Sequence, residues 1–402
     1  MTQTSPIPLY EEQETFYVPH FEIKLRGGPL PDNVVRDVID VTYEDSIDKI
    51  DSFTLTVNNW DADKRRPKYV GMEPTPGAGS PEAKVAAVFE PGNRLELYMG
   101  YQGNRRLVMT GFITTVEPDF PQSAAPRLTV RGLNVLDTFR QKQYTWSWPE
   151  GEETSVRDSD IARSLSRKPD ARGQRPGLGI EVRINELAKG QEEPQPYVLM
   201  RDQYPIVFLM ERARRRGYSL FIVEEERNKE PYRYLHFGPS QQLRDITYRL
   251  EWGKSLIHFR PTLTTTKQVS QVTVYGWNRR TKERIVGSAS LEQCKDVNPD
   301  LHAIARAANR HEVITDRPVH TKQQADKLAQ DILRKQLKEM VEASGATVGL
   351  PDLRAGRAIV IAGVGERFGG RYFVTETTHS INDSGYRTTF KARREQPQGP
   401  RP

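Results

Sequence analysis

A chain of 402 residues has room for roughly two to three domains, and 36% hydrophobic with 28% charged residues is the composition of a globular protein that can bury more than one core. The 59 basic against 53 acidic residues leave a formal charge of +6, a mild excess unlike the clustered positive face of a nucleic-acid-binding domain. The single cysteine, Cys294, excludes an intramolecular disulfide and a thiolate metal site, and no apolar run reaches the roughly 18 residues of a membrane span.

The segment MTQTSPIPLYEEQETFY has neither the charged start nor the apolar stretch of a secretory signal, so synthesis in a cytoplasm is expected. Residues 1–15 read as a flexible tail. From Phe16 the hydrophobic period is two: Phe21, Ile23 and Leu25 point one way in FEIKLRG, and Phe53, Leu55 and Val57 do so in DSFTLTVNN. RLELYMGYQ, RLVMTGFITTVEPDF and PRLTVRGLN continue the pattern between Gly, Pro and Asn turns, which predicts an antiparallel barrel or sandwich over residues 16–141. A Pro/Gly/Ala-rich piece, residues 68–91, interrupts it as an inserted loop, either an interaction arm or a connector.

Residues 142–246 change character and predict an α/β insert. In DSDIARSLS, Asp158 or Ser159 is the expected cap and Ile161, Ala162 and Leu165 the apolar face of a short helix. Further on, Asp202 is the expected N-cap and Pro205 a first-turn residue. Ile206, Leu209, Met210 and Ala213 follow at helical spacing, Arg212, Arg214, Arg215 and Arg216 crowd the last turns, and Gly217 is the expected terminator. YSLFIVEEE and YRYLHFGPS read as a hairpin, with Glu224 to Glu226 solvated near its turn.

Residues 247–394 read as a second β-barrel domain. Val269, Gln271, Thr273 and Tyr275 alternate with Ser270, Val272 and Val274, while 288–320 reads as an irregular flap. A long helix over about 321–343 is expected, capped by Thr321 with Gln324, striped by Ala325, Leu328, Ile332, Leu333 and Leu337, and ended by Gly345. Strands close the domain, with Asn382 to Gly385 as a turn, and 395–402 is a tail.

The seven histidines, at 20, 236, 258, 302, 311, 320 and 379, show no metal-ligand spacing, and there is no HExxH, no nucleophile elbow and no P-loop. GVGERFGG lies between strand-like segments rather than opening a helix, so it reads as a hairpin turn. No catalytic, cofactor-binding or metal residue is assigned. The basic run ERARRRG has three readings: a nucleic-acid patch, a targeting signal, or the solvated end of an amphipathic helix, with an inter-subunit salt-bridge surface compatible with the last. The helix end explains capping, spacing and charge placement together, and makes Arg212, Arg214, Arg215, Arg216, Glu224 and Glu225 the candidate interface residues.

The ordered set TGFITTVEPDF, PRLTVRGLNVLDTFRQK, DSDIARSL and VFLMERARRRGYSLFIV, followed by a β-rich region with a long helix, resembles the late control protein D family of contractile phage tails. Its baseplate hub module also forms the N-terminal part of valine-glycine repeat spike proteins, and the resemblance covers roughly Phe16 to Arg394. It implies a β-rich α+β protein with two tandem antiparallel β-barrel domains and α/β decorations. Three copies would assemble as a ring that joins a threefold spike to the sixfold inner tube, with other baseplate proteins around it. It further implies a hub whose spike is a separate chain, made in a bacterial cytoplasm and built into a phage tail or injection particle. Lys24, Arg26, Asp37, Arg214 and Glu225 are then further sources of charge complementarity between copies. The alternatives are a tail-tip cell-wall-degrading enzyme, for which no catalytic constellation is found, and a nucleic-acid-binding protein.

Overall fold

A computed structural model describes residues 18–70, 88–170, 173–190, 192–227, 230–240, 246–265, 268–294 and 299–394. The expected tails at 1–15 and 395–402 and most of the inserted loop, residues 71–87, lie outside the described residues.

The first part of the chain contributes β1 (Pro19–Leu25), β2 (Gly28–Pro29), a short α1 (Asp32–Arg36), β3 (Val38–Ser46) and β4 (Ser52–Asn58). Two short strands, β5 (Trp60–Asp61) and β6 (Arg66–Pro67), precede β7 (Arg94–Tyr101), β8 (Asn104–Asp119) and β9 (Arg127–Asn134). The alternation does its expected work here. Ile23, Phe53, Leu55 and Val57 are buried in one core, with Phe21 and Leu25 packed against it. Where the inserted loop leaves and returns, Tyr69 and Phe89 meet edge to face, 5.3 Å between ring centroids, inside the same core.

Next come β10 (Tyr144–Trp148), α2 (Asp158–Leu165), β11 (Glu181–Ile184), α3 (Glu186–Gly190) and β12 (Val198–Gln203). Then α4 (Pro205–Arg216), β13 (Ser219–Arg227) and β14 (Glu230–Gly238) follow. β10 and β12 form a two-stranded ribbon, and β11-β14-β13 a small mixed sheet. Ile161, Ala162 and Leu165 of α2 and Ile206, Leu209 and Ala213 of α4 fill the core between them. Gly217 ends α4 in the left-handed region, φ 68°, as its position predicts. Two expected caps differ. Asp202 belongs to β12, and Tyr204 occupies the N-cap with Pro205 as the first helical residue. The α2 cap is Arg157, whose backbone N–H donates to Asp160 at 3.2 Å, so Asp158 is free to turn inward from the first helical position.

The remainder supplies β15 (Ile246–Glu251), β16 (Leu256–Leu263), β17 (Gln271–Asn278), β18 (Glu283–Ser290), α5 (Pro299–Ala308) and β19 (His311–Ile314). After them come α6 (Lys322–Lys338), β20 (Val341–Val348), β21 (Ala358–Ala362), β22 (Gly370–Asn382) and β23 (Gly385–Arg393). Much of the expected flap at 288–320 is therefore regular, holding α5 and β19. Thr321 accepts from the Gln324 N–H at 3.1 Å, as predicted, while the Gln324 side chain reaches one residue further back, to the His320 N–H at 2.9 Å. Helix α6 stops at Lys338 rather than near Gly345. The alternation Val341, Ala343 begins β20 at once, and Gly345 lies within that strand against the Phe390 ring.

The fold is β-rich with large antiparallel sheets. One 13-stranded sheet runs β16-β20-β23-β22-β3-β4-β9-β8-β7-β1-β2, with β21 on β22 and β15 beside β21. Its pairing path is open among the described residues and does not close into two barrels. It passes from late to early chain where Val41–Ser46 of β3 pairs antiparallel with Glu376–Ile381 of β22. β17 and β18 are not strands of this sheet. With β19 they form a separate three-stranded sheet, one face of which packs on α6.

Candidate functional site

Of the candidate interface residues, Arg212 and Glu224 are buried while Arg214 and Arg215 are exposed. Arg212 is buried: its Nε donates to Asp158 Oδ1 at 2.5 Å and its guanidinium also reaches Gln195 Oε1 at 2.9 Å. Arg216 pairs with the other oxygen of the same carboxylate. Burial by itself would lower the Arg216 pKa, but Asp158 overrides it and leaves the guanidinium raised. The expected solvated helix end is thus wrong for these two. They fall on the side of α4 that meets α2, and the first turn of α2 presents a carboxylate to them. Arg214 and Arg215 are exposed, and Arg214 donates to the Asp48 carbonyl at 3.0 Å.

Glu224 is also corrected. It is 7% exposed, and its Oε2 accepts the Thr110 N–H of β8 at 2.6 Å, because β13 lies across β8. Burial pushes its pKa up, and the Thr110 N–H and Arg233, 3.9 Å away, oppose that. The Glu225 backbone pairs with Tyr232.

A polar constellation lies at the β3–β22 pairing. Asp45 accepts from Arg354 Nε at 2.8 Å, from the Ala355 N–H at 3.0 Å and from the Thr377 hydroxyl. Arg354 also donates to the Tyr43 hydroxyl and lies 4.8 Å from that ring's centroid. Asp51 accepts from Asn134 Nδ2 at 2.9 Å and from the Ser46 N–H at 3.3 Å. His379 is held between the Tyr386 hydroxyl, 2.9 Å from Nδ1, and the Leu353 carbonyl, 3.0 Å from Nε2. The Tyr101 hydroxyl ties the early strands to the Gly349 carbonyl at 2.9 Å.

Burial, with repulsion from Asp45, pushes Asp51 up to about 8, and burial lowers His379 to about 4. The network keeps one cation, Arg354, near two carboxyl groups, and one of them, Asp45, bridges segments 309 residues apart. Sequence reading missed it. The one available signal was parity: Asp45 follows Val41 and Tyr43 on the inward face of its strand, where a carboxylate requires a buried partner.

Two of three cavities lie away from this network, and the third is lined by its Thr377. One of 410 Å³ sits between Phe112, Phe139 and Ile180, one of 520 Å³ between Glu192 and Lys327, and one of 370 Å³ beside His258 and Phe390. Among the described residues no group of three His, Cys, Asp or Glu could hold a metal ion, and no helix is long and apolar enough to cross a membrane. The ion-pair seam joins early and late strands in one sheet, and charged ties fix the insert to it.

This is the fold of prophage tail proteins. The chain superposes on the 43 kDa tail protein of prophage MuSo2 from Shewanella oneidensis with TM-score 0.62 at 14% identity, covering 94% of this chain and 98% of that one. A tail protein from Neisseria meningitidis MC58 gives 0.61 at 12% identity, covering 94% and 97%. An E. coli protein that is a component of the type VI secretion system, with structural similarity to the T4 tail proteins gp27 and gp5, gives 0.53 at 11% identity, covering 94% and 79%. A family model described as the Alg8 N-terminal domain matches residues 208–383, under half of the chain. Those limits fall inside α4 and inside the β22–β23 turn, so the matched segment is not a folding unit of this structure. No curated protein sequence matches the chain.

Proposed function

We propose that this chain is a structural baseplate protein of a contractile phage tail or phage-like injection system. In this reading it is the hub: three copies form a ring that joins the central spike to the inner tube, contacts other baseplate proteins, and catalyses no reaction. It neither inserts in a membrane nor binds nucleic acid, and it is made in a bacterial cytoplasm before entering the particle. The observation that carries the reading is the end-to-end likeness to a prophage tail protein, 94% of this chain on 98% of the other. The likeness to a secretion-system component extends the same scaffold to injection machinery. The seam supports it physically. A part that transmits load between spike and tube needs its halves joined without a hinge, and the β3–β22 ladder with its buried ion pair joins them.

Sedimentation of the chain with a spike and a tube protein tests this, with an expected mass of three chains. Turnover of peptidoglycan by the purified chain would favour the cell-wall-degrading alternative, and DNA binding that falls steeply with salt would favour the nucleic-acid one.

A further inference from the structure

The cavity of 410 Å³ lies where the first β-rich part of the chain meets the insert. Arg94 opens β7 opposite Phe112 of β8, and both line it. Val135, Thr138 and Phe139, in the turn of helix after β9, line it too, as do residues Leu178 to Glu181 leading into β11. Arg233 of β14 completes the lining, next in sequence to the Tyr234 that pairs with Glu181. The volume falls within the roughly 300–1,000 Å³ of small-molecule sites, and aromatic and aliphatic side chains with a few polar groups are the usual make-up of such a site.

The four polar side chains of the lining differ in their partners. The Thr138 hydroxyl donates to the Val135 carbonyl at 2.6 Å. Glu181 accepts from Arg183 Nε at 2.8 Å and from the Tyr232 hydroxyl at 2.5 Å, so its charge is already offset. Arg94 donates to Glu96 at 3.1 Å. The Arg233 side chain, 25% exposed, makes no hydrogen bond to a described residue: its Nε comes only within 3.9 Å of Glu224 Oε1, beyond bonding distance. That oxygen of Glu224 is itself buried without a hydrogen-bond partner. A guanidinium carries five N–H donors and stays charged at any pH a protein meets, so Arg233 brings to the cavity a fixed positive charge with no protein acceptor bonded to it.

We infer that this cavity is a binding site for a small organic acid, with an aromatic or aliphatic body against Phe112, Val135, Phe139 and Ile180 and its carboxylate on Arg233. A guanidinium matches a carboxylate with two parallel hydrogen bonds, which are charge-assisted and roughly twice as strong as neutral ones. A purely apolar ligand leaves Arg233 unpaired, and a bare inorganic anion leaves the apolar wall uncovered, so the site selects for both parts in one molecule. The inference stands apart from the assembly proposed above.

The test is titration calorimetry of the full chain with hydrocinnamate and with its neutral counterpart, hydrocinnamyl alcohol. The acid should bind about tenfold more tightly than the alcohol, the effect of one charge-assisted hydrogen bond, and acetate should not displace it. Arg233→Met should remove the preference for the acid and leave the alcohol unaffected, while Arg233→Lys, which keeps the charge and loses the fork, should retain part of it. Phe139→Ala should weaken both compounds alike. Circular dichroism verifies that each variant is folded, and if Arg233→Met does not fold, the comparison of acid with alcohol on the wild-type chain and on Arg233→Lys decides. Equal affinity for acid and alcohol, displacement by acetate, or no saturable binding of the acid by the wild-type chain overturns the inference. Unchanged acid affinity in Arg233→Met, or unchanged affinity for both compounds in Phe139→Ala, puts the binding elsewhere and likewise overturns it.

Discussion

Replacing Arg354 by methionine keeps much of the side chain's length and removes its charge. The guanidinium is enclosed, donates to Asp45 at 2.8 Å and to the Tyr43 hydroxyl, and is the cation that opposes the rise of the Asp51 pKa. Without it, Asp45 retains the Ala355 N–H at 3.0 Å and the Thr377 hydroxyl but no counter-charge. Removing one member of a buried ion pair costs about 3–5 kcal/mol. The two surviving hydrogen bonds place this case near the lower end, about 3 kcal/mol at pH 7. That is a large share of the roughly 5–15 kcal/mol that holds a typical protein folded. Urea denaturation reads it as a lowered midpoint at unchanged slope. Asp45→Asn in the same chain should recover at least half of it. A loss under about 1 kcal/mol at unchanged slope, or no recovery in the double variant, would refute the claim that this pair locks the seam.

Asp51 has a folded pKa of about 8, above its unfolded value, so its contribution to stability is full below the unfolded pKa and is lost as pH rises to 8. Asp51→Asn should therefore gain stability relative to wild type steadily between about pH 4 and 8 in thermal melts, with no difference in slope below that window. Asp158→Asn leaves the buried Arg212 and the half-buried Arg216 without their counter-charge and should cost about 3–5 kcal/mol by urea denaturation. Arg214→Gln with Arg215→Gln, both exposed, should stay within about 0.5 kcal/mol. Gly287→Ala drives a methyl into the α6 backbone and should cost about 1–3 kcal/mol, read by thermal unfolding.

Local periodicity carried the strands well: Phe53, Leu55 and Val57 are buried where alternation puts them, and Gly217 ends its helix where glycine is needed. Partners distant in sequence were not legible. Nothing in VTYEDS says that its strand pairs with THSI more than three hundred residues later, because a period of two fixes a face and not a neighbour. Nothing in the segment PDLRAGR marks its half-buried Arg354 as the cation of the seam. ERARRRG misled in the same way. Charge spacing placed four arginines at a helix end, but only the facing Asp158 decides that Arg212 is buried and Arg216 half-buried. The long helix was placed from its cap and stripe, whereas its end was misjudged because EMVEAS is acceptable helix sequence until Val341 is drawn into the sheet.

The proposed assembly is three copies of this chain meeting a spike and a tube. Sedimentation equilibrium of the full chain with both partner proteins measures that directly. A complex containing three copies is predicted, and a strictly single copy with both partners present would contradict it.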